Sequence, residues 1–149
     1  MNKYDLAYIA GLFDGEACIT LTRRHRKMTD GFQPQVIFSI TDKQTVQWIY
    51  EQFNFGYFTE KKRLTSGGYR VYTFGTSSIN DTKQLLEMIM PYLKVKLQIA
   101  RLVYKWIINH KIAPRGKARK HRTYQTPDWE FQIFDKIHLF TQKRSSLRI

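Results

Sequence analysis

The spacing of apolar residues changes abruptly near the N-terminus of the chain, and this change constrains the fold more than any other feature. Residues 5–14 carry apolar side chains at helical spacing, whereas residues 17–24 alternate apolar and polar side chains with a period of two. The first pattern predicts a helix that is capped by Asp5 and ended by Gly15. The second pattern predicts a strand with one buried face, which follows the helix almost directly.

The same two patterns alternate along the rest of the chain. Strands are predicted at residues 33–41, 57–63 and 69–76, and helices at 42–53, 81–90, 94–110 and from Thr126 onwards. The first two strands are expected to pair as a long hairpin, and a turn signal at residues 65–68 separates the last two. The predicted order is α-β-β-α-β-β-α-α followed by a C-terminal helix, which indicates an α+β fold.

The length of 149 residues predicts a single domain. We expect its core to span about residues 1–112, with a basic loop and a C-terminal helix in residues 113–149. Hydrophobic residues make up 42% of the chain and aromatic residues 15%, which excludes a disordered tail. A single cysteine, Cys18, excludes an intrachain disulfide framework and a cysteine-based zinc site.

The charge is strongly unbalanced, with 25 Lys and Arg against 12 Asp and Glu and a formal net charge of +13. Such an excess repels itself unless an anionic partner balances it, and nucleic acid is the commonest such partner. The N-terminus lacks a signal-peptide pattern, and the longest apolar stretch, residues 97–108, contains Arg101 and Lys105. We therefore expect a nucleic-acid-binding protein of an intracellular, reducing compartment, in the cytoplasm or an organelle, with no membrane partner.

Small residues recur at four-residue intervals in the first helix, at Ala7, Gly11 and Gly15. Such a stripe allows a second helix to approach closely, although small residues also occur where a helix packs on a sheet. Two acids flank Gly15, and for Asp14 we expect a structural hydrogen bond at the helix end. Glu16 is either a solvated surface acid or, if two copies of the helix meet, one of two converging carboxylates that would hold Mg²⁺.

Residues 9–17 (IAGLFDGEA) resemble the signature of the LAGLIDADG homing endonucleases. The resemblance continues in order through residues 38–43 (FSITDK) with Trp48, residues 56–57 (GY), residues 91–96 (PYLKVK) and residues 126–128 (TPD). The segment PYLKVK is similar to the family's P-[FY]-L-x-x-K pattern. The resemblance therefore covers nearly the whole chain.

The resemblance implies the single-motif, intron-encoded type of the family, with an αββαββα core, a saddle-shaped antiparallel sheet of four strands and extra C-terminal helices. It also implies a homodimer with Ala7, Ala10 and Gly11 at its interface. Such a dimer would cut double-stranded DNA at a long palindromic or pseudo-palindromic site, by metal-dependent phosphodiester hydrolysis that leaves short 3′ overhangs. An intron RNA maturase, with intron RNA as its partner, and a non-catalytic DNA-binding protein are alternatives on the same scaffold.

The resemblance also assigns roles to individual residues. Glu16 matches the acidic metal ligand, and Gly15 matches the neighbour whose backbone carbonyl completes the shell around Mg²⁺, for which Mn²⁺ or Ca²⁺ can substitute in binding. Lys96 matches the basic residue near the cleavage pocket, although a solvated lysine or a phosphate contact is the alternative. Asp42 matches a position that orders water or positions metal, and an Asp directly before a helix is also a common N-cap.

Polar side chains of medium length occupy one face of the predicted strands, and this pattern suits contacts to base edges in the major groove. A merely solvated sheet face is the alternative interpretation. The predicted DNA-contacting residues are Thr20, Thr22, Arg24, Gln33, Gln35 and Ser39 on the first hairpin, and Thr59, Lys61, Arg63, Arg70 and Tyr72 on the second. The basic loop adds Arg115, Lys117, Arg119 and Lys120, which are predicted to contact phosphates.

Overall fold

The computed structural model describes residues 1–26, 29–61, 67–110 and 126–146. Its elements are α1 (Lys3–Glu16), β1 (Cys18–Arg26), β2 (Thr29–Ile40), α2 (Lys43–Phe53), β3 (Tyr57–Lys61), β4 (Val71–Thr76), α3 (Ile79–Ile89), α4 (Leu97–Asn109) and α5 (Asp128–Ser146). This order confirms the predicted order and the α+β class. Within the described ranges, none of the helices has the length and apolar character that a membrane crossing requires.

The first helix is longer than predicted at both ends. Asn2 is its N-cap, because the Asn2 side chain accepts hydrogen bonds from the backbone N–H groups of Tyr4 and Asp5 at 2.9 and 3.0 Å. Asp5 completes a capping box by accepting the Asn2 backbone N–H at 3.3 Å. The helix continues through Gly15, and the backbone becomes extended only at Ala17. The prediction that Gly15 ends the helix is therefore wrong, and Glu16 is its last residue.

The four strands form one antiparallel sheet with the order β1-β2-β4-β3. Cys18, the first residue of β1, pairs with Ile37, near the end of β2. The chain leaves β2 and enters α2 within a few residues of this pair. The end of α1 and the start of α2 therefore lie at the same end of the β1-β2 hairpin.

The helices cover one face of the sheet and form a core with it. Phe13 of α1 stacks on Phe38 of β2 with ring centroids 5.2 Å apart, and both residues are fully buried. Phe74 of β4 and Phe53 of α2 continue this aromatic layer with centroids 5.6 Å apart. Since the sheet residues alternate between the two faces, their neighbours point to a second face that the described helices leave open.

The C-terminal helix α5 packs on α4 and β1. Phe32 of β2 contacts the rings of Phe131 and Phe134 at centroid distances of 5.2 and 4.8 Å. Glu130 is buried, and its carboxylate accepts a hydrogen bond from the Trp106 indole at 3.0 Å and lies 3.0 Å from His110 Nδ1. The helix is therefore held by both an aromatic cluster and a buried polar group.

Candidate functional site

The last turn of α1 carries an exposed acid and holds a lysine from a distant segment. Glu16 is exposed in the last turn of the helix. Lys96, directly before α4, places its ammonium in the same turn, where Nζ donates to the backbone oxygen of Phe13 at 2.8 Å. The same oxygen accepts the Ala17 N–H at 3.1 Å. The Lys96 ammonium thus contacts the turn that carries Glu16, although the two predicted site residues lie 80 positions apart in sequence.

Asp14 connects the same two segments through the backbone. Its Oδ2 accepts the N–H of Lys94 at 2.7 Å, and its Oδ1 accepts the N–H of Lys96 at 2.8 Å. The prediction of a structural hydrogen bond for Asp14 is confirmed. Its partners lie in the segment before α4 and could not be identified from the local sequence.

Cys18 lies beside the acid and the base, at the start of β1. The residue is exposed, but partial burial of its thiol raises the pKa, and the positive charge of Lys96 opposes that rise. This opposing effect places the Lys96 ammonium within electrostatic reach of the first residue of the strand.

Asp42 is the N-cap of α2, as one of the two interpretations predicted. Its carboxylate accepts the Thr45 backbone N–H at 3.1 Å, and the Thr45 hydroxyl donates to the same oxygen. These hydrogen bonds lower the pKa of Asp42 because they stabilise its charged form. Asp42 is exposed, and its carboxylate follows β2 at the end of the hairpin where β1 begins.

The open face of the sheet carries most of the predicted DNA-contacting residues. The register places Thr20 opposite Gln35, and Thr22 opposite Gln33. Ser39 and Thr59 lie on either side of Thr73. Arg24 and Lys61 share the strand parity of these residues. The predicted face is therefore correct for β1, β2 and β3.

Several of these side chains make hydrogen bonds within the chain. Ser39 and Thr73 share a hydrogen bond of 2.8 Å, and the Gln33 amide donates to the backbone oxygen of Ser77. The Thr22 hydroxyl donates to the Gln33 backbone oxygen at 3.3 Å, and the Thr20 hydroxyl donates to Leu21 at 3.2 Å. Such bonds hold the side chains in place on the open face.

The face predicted for β4 is wrong. Tyr72 pairs with Ile40 and Glu60, so it shares the parity of the buried Phe74 and points to the helices. There its ring stacks on Phe58 with centroids 6.3 Å apart. Arg70 precedes the strand and forms an ion pair with Glu60, which has the same parity as Tyr72.

The open face of β4 instead carries Val71, Thr73 and Gly75, which the prediction missed. The Tyr57 ring lies over Gly75, where an added Cβ would come within 2.5 Å of it. Gly56 has a φ of +81° and lies against the Gly75 oxygen, so the close approach of β3 and β4 requires glycine at these positions. A signal existed in the sequence, because the large aromatic Phe74 marks the buried parity of the strand.

Of the three residues of α1 that were predicted to lie at a dimer interface, two are exposed and one is buried. Ala10 is fully buried in the core of its own chain, so the prediction that it lies at a dimer interface is wrong. Ala7 and Gly11 are exposed, and a Cβ added to Gly11 would meet nothing within 4 Å. Tyr8, which is 57% exposed, lies between this side and α2, where its ring meets the edge of Trp48 at 6.0 Å.

Five of the predicted DNA-contacting residues lie outside the described residues. They are Arg63, Arg115, Lys117, Arg119 and Lys120. Within the described part of the chain, no group of three or more His, Cys, Asp and Glu side chains is arranged to hold a metal ion.

No protein-family model matches the sequence, and no curated protein matches it. Solved structures do. The chain is similar to the homing endonuclease I-CvuI in complex with the I-CreI target DNA, with a TM-score of 0.69, 20% identity and coverage of 93% of this chain and 82% of that chain. It is similar to the archaeal intron-encoded homing endonuclease I-Vdi141I complexed with DNA, with a TM-score of 0.56, 14% identity and coverage of 91% and 98%.

A third similar structure is the LAGLIDADG homing endonuclease I-GzeII in complex with its DNA target, with a TM-score of 0.60 and 18% identity. The match covers 89% of this chain and 43% of that one. The chain therefore has the fold of the LAGLIDADG homing endonucleases, as the sequence motifs implied. This fold unit occurs both in a chain of similar length and within a chain about twice as long.

Proposed function

We propose that the chain is a site-specific DNA endonuclease of the LAGLIDADG homing type, which acts as a homodimer and uses Mg²⁺. The observation that carries this proposal is the contact of the Lys96 ammonium with the last turn of α1, which also carries Glu16, next to an open polar sheet face. The similarity of the fold to homing endonucleases that were crystallised with DNA supports the same conclusion.

DNA binding is supported by shape and by charge. The β1-β2 hairpin is a two-stranded ribbon, and such a ribbon fits the major groove of B-DNA. Its open face carries Arg24 and Gln35, whose side chains can contact purine edges in pairs of hydrogen bonds. The net charge of +13 predicts affinity that falls steeply with salt, because phosphate contacts release counterions.

A homodimer is supported by the exposed side of α1. Glycine inside a helix costs about 0.5–1 kcal/mol relative to alanine, and Gly11 and Gly15 both have room for a Cβ within their own chain. The described part of one chain therefore gives no packing reason for either glycine, whereas a second copy of α1 would use both to approach closely. A two-fold axis along this helix would bring the two Glu16 carboxylates together and match a palindromic or nearly palindromic DNA site.

The donors at the end of α1 suit Mg²⁺. The Glu16 carboxylate and the Gly15 carbonyl are hard oxygen ligands, and Mg²⁺ in proteins is commonly bound by one or two carboxylates plus water. Two copies of Glu16, one from each chain, would supply two carboxylates to such a site. Bound Mg²⁺ would supply Lewis-acid stabilisation of a phosphoryl oxygen and activation of water. Mn²⁺ and Ca²⁺ would fit the same oxygen donors.

The other residues act around these donors. Lys96 would stabilise the negative charge that develops on the scissile phosphate, because its ammonium is held at the helix end by the Phe13 oxygen. Asp42 remains ionised at neutral pH and would order water at the same end of the hairpin. Each chain of the dimer would cut one strand, and the pair of cuts would leave short 3′ overhangs.

The proposal is tested by cleavage of a randomised DNA library in Mg²⁺ by the wild-type chain, by Glu16→Gln and by Glu51→Gln, a control at an exposed glutamate of α2. We expect the wild type and the control to cut discrete sequences. We expect Glu16→Gln to lose at least about 100-fold in rate while it keeps its DNA affinity, because the change removes a charge that acts in the reaction. Undiminished cutting by Glu16→Gln, or preferential binding of structured RNA with no DNA cleavage by the wild type, would overturn the proposal.

A further inference from the structure

We propose that Asp14 is a positioning residue for the cleavage reaction. Asp14 fixes the location of Lys96 relative to Glu16. The inference rests on the proposed function, since it concerns the same site. It gives a physical reason why the helix motif at residues 9–17 and the segment at residues 91–96 occur together in one chain.

The first argument is the way in which Asp14 holds the segment. Each of its two oxygens accepts one backbone N–H, from Lys94 at 2.7 Å and from Lys96 at 2.8 Å. Hydrogen bonds to a carboxylate are among the stronger ones in proteins, and two of them on one group fix orientation as well as distance. Asp14 therefore fixes both the position and the rotation of the backbone from which the Lys96 side chain departs.

The second argument is that both ends of Lys96 are attached to adjacent residues. Its backbone N–H is held by Asp14, and its ammonium is held by the oxygen of Phe13. The Lys96 backbone and the Lys96 ammonium are therefore both bound to residues at the end of α1. If the Lys96 backbone moved away from Asp14, the ammonium would move relative to Glu16, which lies in the same helical turn as Phe13.

The third argument is that the local sequence does not explain the position of Lys96. Lys96 occupies the N-cap of α4 without a capping hydrogen bond from its side chain. Lysine is a poor N-cap, and a positive charge at a helix N-terminus is unfavourable because that end carries partial positive charge. The carboxylate of Asp14 supplies the negative charge at this terminus instead, from a helix that lies 82 residues earlier in the chain.

The test compares Asp14→Asn with Asp5→Asn, a matched control in the same helix. Asp5 accepts one backbone N–H at the other end of α1, so Asp5→Asn makes the same chemical change in the same helix away from the site. Three quantities are measured for each variant: backbone amide exchange at Lys94 and Lys96, DNA affinity in Ca²⁺, and the single-turnover cleavage rate in Mg²⁺ at saturating DNA.

We expect Asp14→Asn to accelerate exchange at Lys94 and Lys96 and to reduce the single-turnover rate about 10–100-fold, a usual loss for a group that orients another. DNA affinity should stay within about threefold, because the substitution leaves the open sheet face intact. In a Lys96→Met background the same substitution should cause little further loss of rate, since Asp14 acts through Lys96. Asp5→Asn should leave exchange and rate at this site unchanged.

A normal cleavage rate in Asp14→Asn despite fast exchange would overturn the proposal, and so would a full, additive loss in the Lys96→Met background. If Asp14→Asn does not fold, Asp14→Glu keeps the charge and moves it by one methylene, and its rate must fall with unchanged affinity. A wild-type chain that cuts no DNA would overturn the proposed function itself. That outcome is distinguishable, because the exchange measurement reports on the Asp14 contacts without any DNA.

Discussion

At the end of α1, two charged residues occupy helix termini that disfavour them. Glu16 lies at the negative end of the α1 dipole, and Lys96 lies at the positive end of α4. Each placement costs about 0.3–1 kcal/mol for an exposed charge. Such local conflicts are expected where function, and not stability, selects the residue. Part of the cost is offset because the Lys96 ammonium contacts a carbonyl of the last turn of α1.

The sequence was sufficient to select Glu16, Lys96 and Asp42 as candidates, because each falls in a recognisable motif. It was not sufficient to identify the partners of Asp14, since hydrogen bonds across 80 and 82 residues leave no periodic signal. The capping interpretation of Asp42 followed from local chemistry alone and is confirmed by its bonds to Thr45. The roles of Glu16, Lys96 and Asp42 in cleavage stay predictions.

Cys18 provides a test of the position of Lys96 that needs no DNA. Burial raises the pKa of its thiol, and the charge of Lys96 partly opposes the rise. Removal of that charge in Lys96→Met should raise the pKa further, which lowers the thiolate fraction at a given pH above neutrality. We therefore expect slower alkylation of Cys18 by iodoacetamide in Lys96→Met, with the rate profile shifted to higher pH.

The matched control for this measurement is Lys94→Met, because Lys94 is an exposed lysine in the same segment. Its substitution should leave the alkylation profile of Cys18 in place. An unchanged or faster reaction in Lys96→Met would show that the ammonium does not lie near the thiol. The single cysteine of the chain makes the reaction specific without further substitutions.

At the scale of the elements, apolar periodicity was sufficient to predict the order of helices and strands. It was not sufficient to predict which face of β4 is buried. In β4 (Val71–Thr76), both parities contain residues of high strand propensity, so propensity does not determine the buried face, and the aromatic Phe74 is the signal that marks it. Tertiary packing decides the parity, because Phe74 completes the aromatic layer with Phe13 and Phe53. Tyr72 has the same parity as Phe74 and therefore points to the helices, so it is not on the face that was predicted to contact DNA.

One buried carboxylate contributes to the attachment of α5, beside the aromatic cluster around Phe32. Glu130 is 1% exposed and accepts the Trp106 indole N–H, so Glu130→Ala would leave that buried donor without its partner. An unsatisfied buried group costs about 1–3 kcal/mol, and we expect the free energy of unfolding to fall by this amount. Urea denaturation followed by tryptophan fluorescence measures the change.

Glu87→Ala is the control for this prediction, since Glu87 accepts the Tyr104 hydroxyl at 2.8 Å on the surface of the α3-α4 pair. Its loss should be clearly smaller, because water replaces an exposed hydrogen bond. Equal losses in the two variants would contradict the prediction. They would mean that the hydrogen bond between Glu130 and Trp106 contributes no more than a surface hydrogen bond.

At the scale of the whole molecule, the first helix keeps two glycines, Gly11 and Gly15, at which an added Cβ would meet no described atom within 4 Å. The proposed pairing of two chains along this helix would explain both glycines. The substitution Gly11→Leu is expected to distinguish a single chain from a pair of chains. Leucine has a higher helix propensity than glycine, which costs roughly 1 kcal/mol relative to alanine inside a helix. A Cβ added at Gly11 would also meet no described atom of the same chain within 4 Å.

Gly11→Leu should therefore leave the fold of one chain intact while its side chain holds two copies of α1 apart. We expect sedimentation at the mass of one 17.8 kDa chain, where the wild type sediments as two, together with loss of DNA cleavage. Lys83→Leu, at an exposed position of α3, serves as the control for an added surface leucine and should remain paired and active. If Gly11→Leu still forms dimers, the contact between the two chains lies elsewhere. If the wild-type chain cuts both DNA strands as a monomer, a second Glu16 is not needed.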